Sequence, residues 1–296
     1  MGRGALHGNR LSAGILFALS WLLEVLSALG AGAVSEFEKH QQQSGRGWDV
    51  TWGAGAAAIV DIDRNSIDPR PVLIVTGLVQ EARIAAGPGM IVICSSSDPQ
   101  QLRALLATLD SSTFRGVISF GVAGGLDPSL KSGDVVVATE VLSGDTRFLA
   151  GLALNEEMIA SAALKRRRVV RGGLAGVEQV IAATASKAAL HSETGAAAVD
   201  MESHIAAAYA AEAGLPFAAL RVISDPAGRA LPALAKSAIK PNGDIDVRKV
   251  LRGLARNPRT LRALVSTGID FNRALRSLRG CRGFLLGGES LATAEI

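Results

Sequence analysis

Aromatic side chains make up only 4% of the 296 residues, and tyrosine occurs once. A core built with so few has to close on small and aliphatic side chains, and alanine and glycine are prominent throughout. The same scarcity removes the stacking platforms that single-stranded nucleic-acid binding needs, so no nucleic-acid partner is expected. Cysteine occurs twice, at Cys94 and Cys281, too far apart for a metal or disulfide spacing. Cys94 ends an apolar run and reads as an inert buried thiol. There is no H-E-x-x-H and no Cys/His cluster, so no metal is expected. Neither G-x-G-x-x-G nor a Walker loop is present for a dinucleotide or nucleoside triphosphate, and no bound cofactor is expected. A Ser-Asp-His triad at Ser224-Asp225 with His191 or His204 lacks the G-x-S-x-G elbow. Both histidines read as helix-surface residues. No internal repeat is visible.

What is present alternates strand and helix. VLIVTGL (72–78), MIVIC (90–94), GVISFGVAGGL (116–126) and DVVVATEVL (134–142) read as strands, the third running into a Gly-rich turn. Asp98-Pro99 opens a helix with Gln101 three residues after the cap. Strand pattern recurs near 169–183, and helical pattern at 155–167 and 185–193. The stretch 196–226 is a complete strand–helix–strand unit: AAAVD, an Ala-rich helix from Met201 to Ala213 stopped at Gly214, then PFAALRVIS. Repeated units of this kind predict an α/β fold, a three-layer α/β/α sandwich.

Outside that pattern lie two further regions. Residues 11–34 are apolar and long enough to span a bilayer, but Glu24 interrupts them. They read as a signal peptide, a membrane anchor or an extension outside the fold. With the polar, Gln-rich stretch that follows they form an expected N-terminal region, 1–70, with the folded domain at 71–240. In the C-terminal region, 241–296, ten Lys/Arg stand against two Asp between Asp246 and Arg282. That local excess of +8 is twice the +4 of the whole chain. Leucines and valines recur there at helical spacing, with Pro258 dividing two helices. Such a basic amphipathic helix either packs on the domain with a solvated basic face or lies on an anionic membrane.

Three acids stand out: Glu81 after the first strand, Glu202 in the first turn of the central helix, and Asp225 after its second strand. Each has a plain alternative, as a solvated turn residue, a favourable charge at a helix N-terminus, and a turn cap. In a parallel sheet Glu202 and Asp225 share the carboxyl-end rim where α/β ligand sites form. The Gly121–Gly124 stretch lets backbone approach a ligand closely, although it also reads as a simple tight turn.

AVDMES followed by LRVISD resembles the signature of the purine nucleoside phosphorylase and nucleosidase family. FGVAGGLDPSLKSGDVVV (120–137) is similar to that family's Gly-rich loop, and IVTGLVQEARIA (74–85) to its opening strand. GLVQEARIAAGPG (77–89), VDMESHIAA and SDPA look most like the hopanoid-associated phosphorylases, thought to release adenine from adenosylhopane. The resemblance implies the nucleoside phosphorylase type of sandwich, with a central mixed sheet, and cleavage of a purine N-glycosidic bond. It implies Asp225 as general acid at the purine N7, oriented by Ser224, and Glu81 as the acid that activates water in hydrolytic members. Met201 and Glu202 would hold the ribose, and Gly121, Val122, Ala123 and Gly124 would lie under the nucleoside. Val122 departs from the serine often found there, and the loop lacks the family's phosphate-binding arginine, for which Arg83 is the substitute candidate. Inorganic phosphate or water is thus the acceptor. The partners implied are a purine nucleoside, lipid-linked in the hopanoid reading, peripheral membrane contact through 246–282, and further copies of the chain as a homo-oligomer. The location implied is cytoplasmic, at the inner membrane surface in that reading. The alternatives are a methylthioadenosine/adenosylhomocysteine nucleosidase, and a non-catalytic membrane-associated nucleoside-binding protein.

Overall fold

The computed structural model describes residues 68–151, 167–232 and 261–286, with the strand Ala57–Ile59 and Arg252. The chain divides into two units, Met1–Trp48 and Asp49–Ile296, and every described residue belongs to the second. The apolar segment 11–34, nearly all of 155–167 and the Pro258 break lie outside the described residues.

Strands β2 (Val72–Thr76), β3 (Met90–Cys94) and β4 (Gly116–Gly125) pair in parallel, β2 in the middle. β1 (Ala57–Ile59), inside the stretch expected to be linker, pairs antiparallel with β3. β5 (Val135–Ser143) forms with β6 (Thr146–Leu149) a hairpin that the sequence pattern did not announce. β7 (Val169–Gly176) runs parallel to β5, and β8 (Ala198–Asp200) parallel to β7. β9 (Phe217–Asp225) lies between β4, to which it is parallel, and β5, to which it is antiparallel. The last residues of β4 also pair antiparallel with β8, so β4, β9, β5, β7 and β8 form a closed circuit within the sheet. The α/β architecture with a central mixed sheet is therefore as expected. Strands β4 and β9 are buried along almost their whole length, as centre strands covered on both faces must be.

Helices cover the sheet in two groups. α1 (Val79–Ala85) follows β2 directly, and α2 (Pro99–Ala107) begins where Asp98 Oδ1 accepts from the Gln100 and Gln101 amides at 2.9 and 3.1 Å. α3 (Thr184–Thr194) ends at Gly195, whose φ of +68° favours glycine. α4 (Ser203–Glu212) packs on β4, β5, β7 and β9 with α2 beside it. α5 (Leu261–Gly280) packs on β9 and β4 with α1 beside it, and α6 (Gly283–Leu286) follows. Leu264, Leu275 and Leu278 of α5 are buried on the domain, while Arg273, Arg276 and Arg279 face outward. The leucines of 261–280 are thus spent largely on packing, and the basic face, with Ile269, remains at the surface. No helix among the described residues is long and apolar enough to cross a membrane.

Candidate active site

The carboxyl ends of β2, β4, β8 and β9 meet, and the acids singled out above come with them. β4 does not turn at its glycines, as the sequence reading expected, but stays extended to Gly125. The reason is steric. A Cβ at Gly121 would lie 2.5 Å from Arg221 Nη1 and 2.7 Å from the Glu81 carboxylate. A Cβ at Gly77 would lie 2.6 Å from Glu202 Oε1. The glycines therefore admit buried charges against the strands.

Glu81 is only 1% exposed, which excludes the solvated-turn reading. Its Oε2 accepts from the Gly77 and Leu78 amides, both at 2.9 Å, and its Oε1 from the Val122 amide at 2.7 Å. Burial pushes its pKa up, opposed by Arg221 and by those three amides. Glu202 is 5% exposed and precedes α4 rather than lying in its first turn. Asp200 sets that position by accepting from the Glu202 and Ser203 amides at 3.0 and 2.7 Å. Burial, with the neighbouring Asp200 and Glu81 carboxylates adding to it against Arg221, raises Glu202 to about 7.

Arg221, in the middle of β9, holds this cluster together and was not recognised from the sequence. It is fully buried, with Nε 2.8 Å from Asp200 Oδ2 and Nη2 3.6 Å from Glu202 Oε2. Nη2 also donates to Ser119 Oγ at 2.7 Å. One guanidinium lies among the three carboxylates of Asp200, Glu202 and Glu81, and burial favours the neutral form of Glu81 and of Glu202 against its pull. The signal was an arginine inside an otherwise apolar strand, FAALRVIS, because a charge there has to be paired.

Asp225 is the last residue of β9, not beyond it, and a register shift against β4 at Ala123/Gly124 re-aims this end of the strand. It is 5% exposed. Lys187 of α3, fully buried and also missed from the sequence, places Nζ 2.5 Å from Asp225 Oδ2. The same ammonium donates to the carbonyls of Asp225, Pro226 and Arg229 at 3.1–3.2 Å. Nothing in TASKAALHSET marks this lysine as internal. Burial raises the pKa of Asp225, with Lys187 and Ser224 opposing. Ser224 Oγ lies 2.6 Å from Asp225 Oδ1 and 3.2 Å from the Ala123 carbonyl. Its single proton serves one of these at a time. With Asp225 ionised it goes to the carboxylate. With Asp225 protonated on Oδ1, the acid can donate to Ser224 while Ser224 donates to Ala123, so both states are satisfied.

Val122, Gly124, Met201 and Ser224 are partly exposed and form the open side of this rim, while Gly121 and Ala123 are buried beneath it. Arg83 is exposed, and two residues from Glu81 along a helix it does not share that residue's face. One expectation fails. His204 is buried, not on the helix surface; it packs against Gly176, and its Nε2 lies 2.9 Å from Glu178 Oε1. Neither histidine has a hydrogen bond to Ser224 or Asp225 among the described residues.

Residues 70–256 match the model of the phosphorylase superfamily. The chain belongs to that superfamily. Membership makes it an enzyme of the class acting on N-glycosidic bonds, as the paired signature motifs implied. A search of curated proteins finds no match. Among solved structures it is similar to a 5′-methylthioadenosine/S-adenosylhomocysteine nucleosidase from Helicobacter pylori. That likeness has a TM-score of 0.53 at 19% identity and covers 73% of this chain and 96% of the other. The Neisseria meningitidis nucleosidase of the same description gives 0.53 at 18%, over 74% and 97%. Futalosine hydrolase of Helicobacter pylori gives 0.50 at 20%, over 63% and 97%. At these identities the likeness is one of fold.

Proposed function

We propose that this enzyme hydrolyses the N-glycosidic bond of a 5′-substituted adenosine and releases adenine. The observation that carries the reading is the set of three buried carboxyl groups at the strand ends: Glu81 beside Gly121, Asp225 beside Gly124, and Glu202 beside Gly77. Cleavage leaves negative charge on the purine and positive charge on the sugar. Asp225, held protonatable by burial, protonates the leaving base at N7. Glu202 accepts hydrogen bonds from the ribose hydroxyls and Met201 packs against the nucleoside as a pliable apolar surface. Glu81 Oε1 accepts a single backbone hydrogen bond and keeps a lone pair for a proton of the attacking water. Water is the acceptor in this reading, supported by the free lone pair of Glu81 and by the nucleosidases that share the fold.

Methylthioadenosine or adenosylhomocysteine as substrate is supported by the nucleosidases that share the fold. Adenosylhopane is the second reading, favoured by the 77–89, VDMESHIAA and SDPA motifs. The test is adenine release by the full-length chain from each substrate, with and without inorganic phosphate. Phosphate-independent release from methylthioadenosine is expected. Release only from adenosylhopane replaces the substrate, release only with phosphate replaces the nucleophile, and no release from any of them overturns the proposal.

A further inference from the structure

Away from the acidic cluster, an open cleft of about 510 Å³ lies where the turn before β5 meets α5 and the start of β7. Four arginines line it: Arg167 and Arg168 from the residues just before β7, and Arg273 and Arg276 from α5. Asp134 is the one carboxylate in the lining. For Arg168, Arg273 and Arg276, the carboxylates beside them among the described residues are fewer than the guanidinium groups. Arg168 Nη1 is 3.7 Å from Asp134 Oδ2, and Arg273 shares Asp270 with Arg229. Arg276 Nε has a backbone carbonyl, that of Asn272, at 3.4 Å. Hydrogen bonds to carbonyls leave the positive charge in place.

The framework beneath is fixed. Ser277 Oγ donates to the Gly133 carbonyl at 2.7 Å and Ser132 Oγ to the Asp270 carbonyl at 2.8 Å, tying α5 to the turn. The Gly133 amide donates to the Ile223 carbonyl, and the Ile223 amide to that of Asp134, both at 2.9 Å, anchoring the turn on β9. None of Glu81, Glu202 and Asp225 lines the cleft.

We propose that this cleft is a binding site for a phosphate-bearing anion. Guanidinium forks match phosphate oxygens two at a time, and arginine, not lysine, supplies all the lining cations. The volume exceeds that of a single inorganic ion and suits a phosphate monoester, a pyrophosphate or a phospholipid headgroup. Because Leu264, Leu275 and Leu278 of α5 are buried on the domain, a membrane would be met mainly through this cleft's charge.

The experiment has a soluble arm and a vesicle arm, both on the full-length chain. Calorimetric titration with inorganic pyrophosphate tests the first. Flotation with phosphatidylcholine vesicles, with and without phosphatidylglycerol, tests the second. The double variant R273E/R276E reverses two exposed lining charges, and R262E/R279E reverses two exposed arginines of the same helix outside the lining. Binding in either arm, weakened at least tenfold by R273E/R276E and less than threefold by R262E/R279E, is expected, and the arm that binds identifies the source. Equal weakening by both variants reduces the effect to net charge and overturns the site. So does binding in neither arm, or flotation that is the same on neutral and anionic vesicles.

Discussion

Lys187→Met keeps the buried aliphatic stem and removes only the ammonium that lies 2.5 Å from Asp225 Oδ2. Asp225 then stays 5% exposed without its cation, and the Pro226 and Arg229 carbonyls lose a donor. Breaking a buried pair by removing one partner costs about 3–5 kcal/mol, which for a chain of this size is a fall in Tm of roughly 10 °C. The loss depends on pH. Burial already holds the folded pKa of Asp225 above its ordinary 3.8, and removing Lys187 raises it further. A carboxyl raised in this way stabilises the fold fully below its unfolded pKa, and that contribution disappears as pH rises through the folded pKa. The deficit of the variant is therefore smaller at pH 4.5, where only the lost carbonyl hydrogen bonds remain, than at pH 8. Circular-dichroism melts of both proteins at the two pH values measure it. The basic limb of the kcat profile for base release should move to higher pH in the variant, because a general acid of higher pKa stays protonated longer. Equal falls in Tm at both pH values, together with an unmoved basic limb, would refute the view that Lys187 sets the protonation of Asp225.

Asp225→Asn should lower kcat for adenine release by about 10²–10⁴-fold with substrate affinity changed far less, as stopped-flow and equilibrium binding would report; near-wild-type kcat removes the general-acid assignment. Glu202, raised to about 7, stabilises the fold below its ordinary 4.5 and loses that contribution as pH rises through about 7. Glu202→Gln should therefore flatten the stability profile between pH 5 and 8 by on the order of 1–3 kcal/mol in urea titrations, and a profile parallel to wild type contradicts the shift. Gly121→Ala should destabilise by about 1–3 kcal/mol and reduce kcat/KM, because its Cβ would meet Arg221 and Glu81 within 2.7 Å. A variant with unchanged Tm and activity would show that β4 has room there.

The α/β class was legible because β2, β3, β4 and β9 are apolar runs of strand length and helices α2 and α3 carry their own start or stop signals at Asp98 and Gly195. Local chemistry acts within a few residues, and a linear pattern records it. Glu81, Glu202 and Asp225 were legible as candidates through their motifs, but not their burial. Their environments are made by residues up to about a hundred positions away, such as Ser95 at 3.3 Å from Glu202. The reading of Gly121–Gly125 as a turn failed for the same reason. A glycine reports that space is needed, and only the approach of Arg221 and Glu81 says whether the space is for a bend or for a neighbour.

By itself, then, the sequence determined the alternation of the main strands and helices, the excess of basic charge near its C-terminal end and the identities of the three acids. These follow from hydrophobic spacing, capping and composition, which are properties of neighbours along the chain. Only the tertiary structure decided that Arg221 and Lys187 are the internal cations, that His204 and Glu81 are buried while Arg83 is not, and that the leucines of α5 pack inward. Those outcomes depend on which elements meet. Burial is a property of the whole assembly of strands and helices, and it is burial that raises the pKa of Glu81, Glu202 and Asp225 above the ordinary carboxylate value.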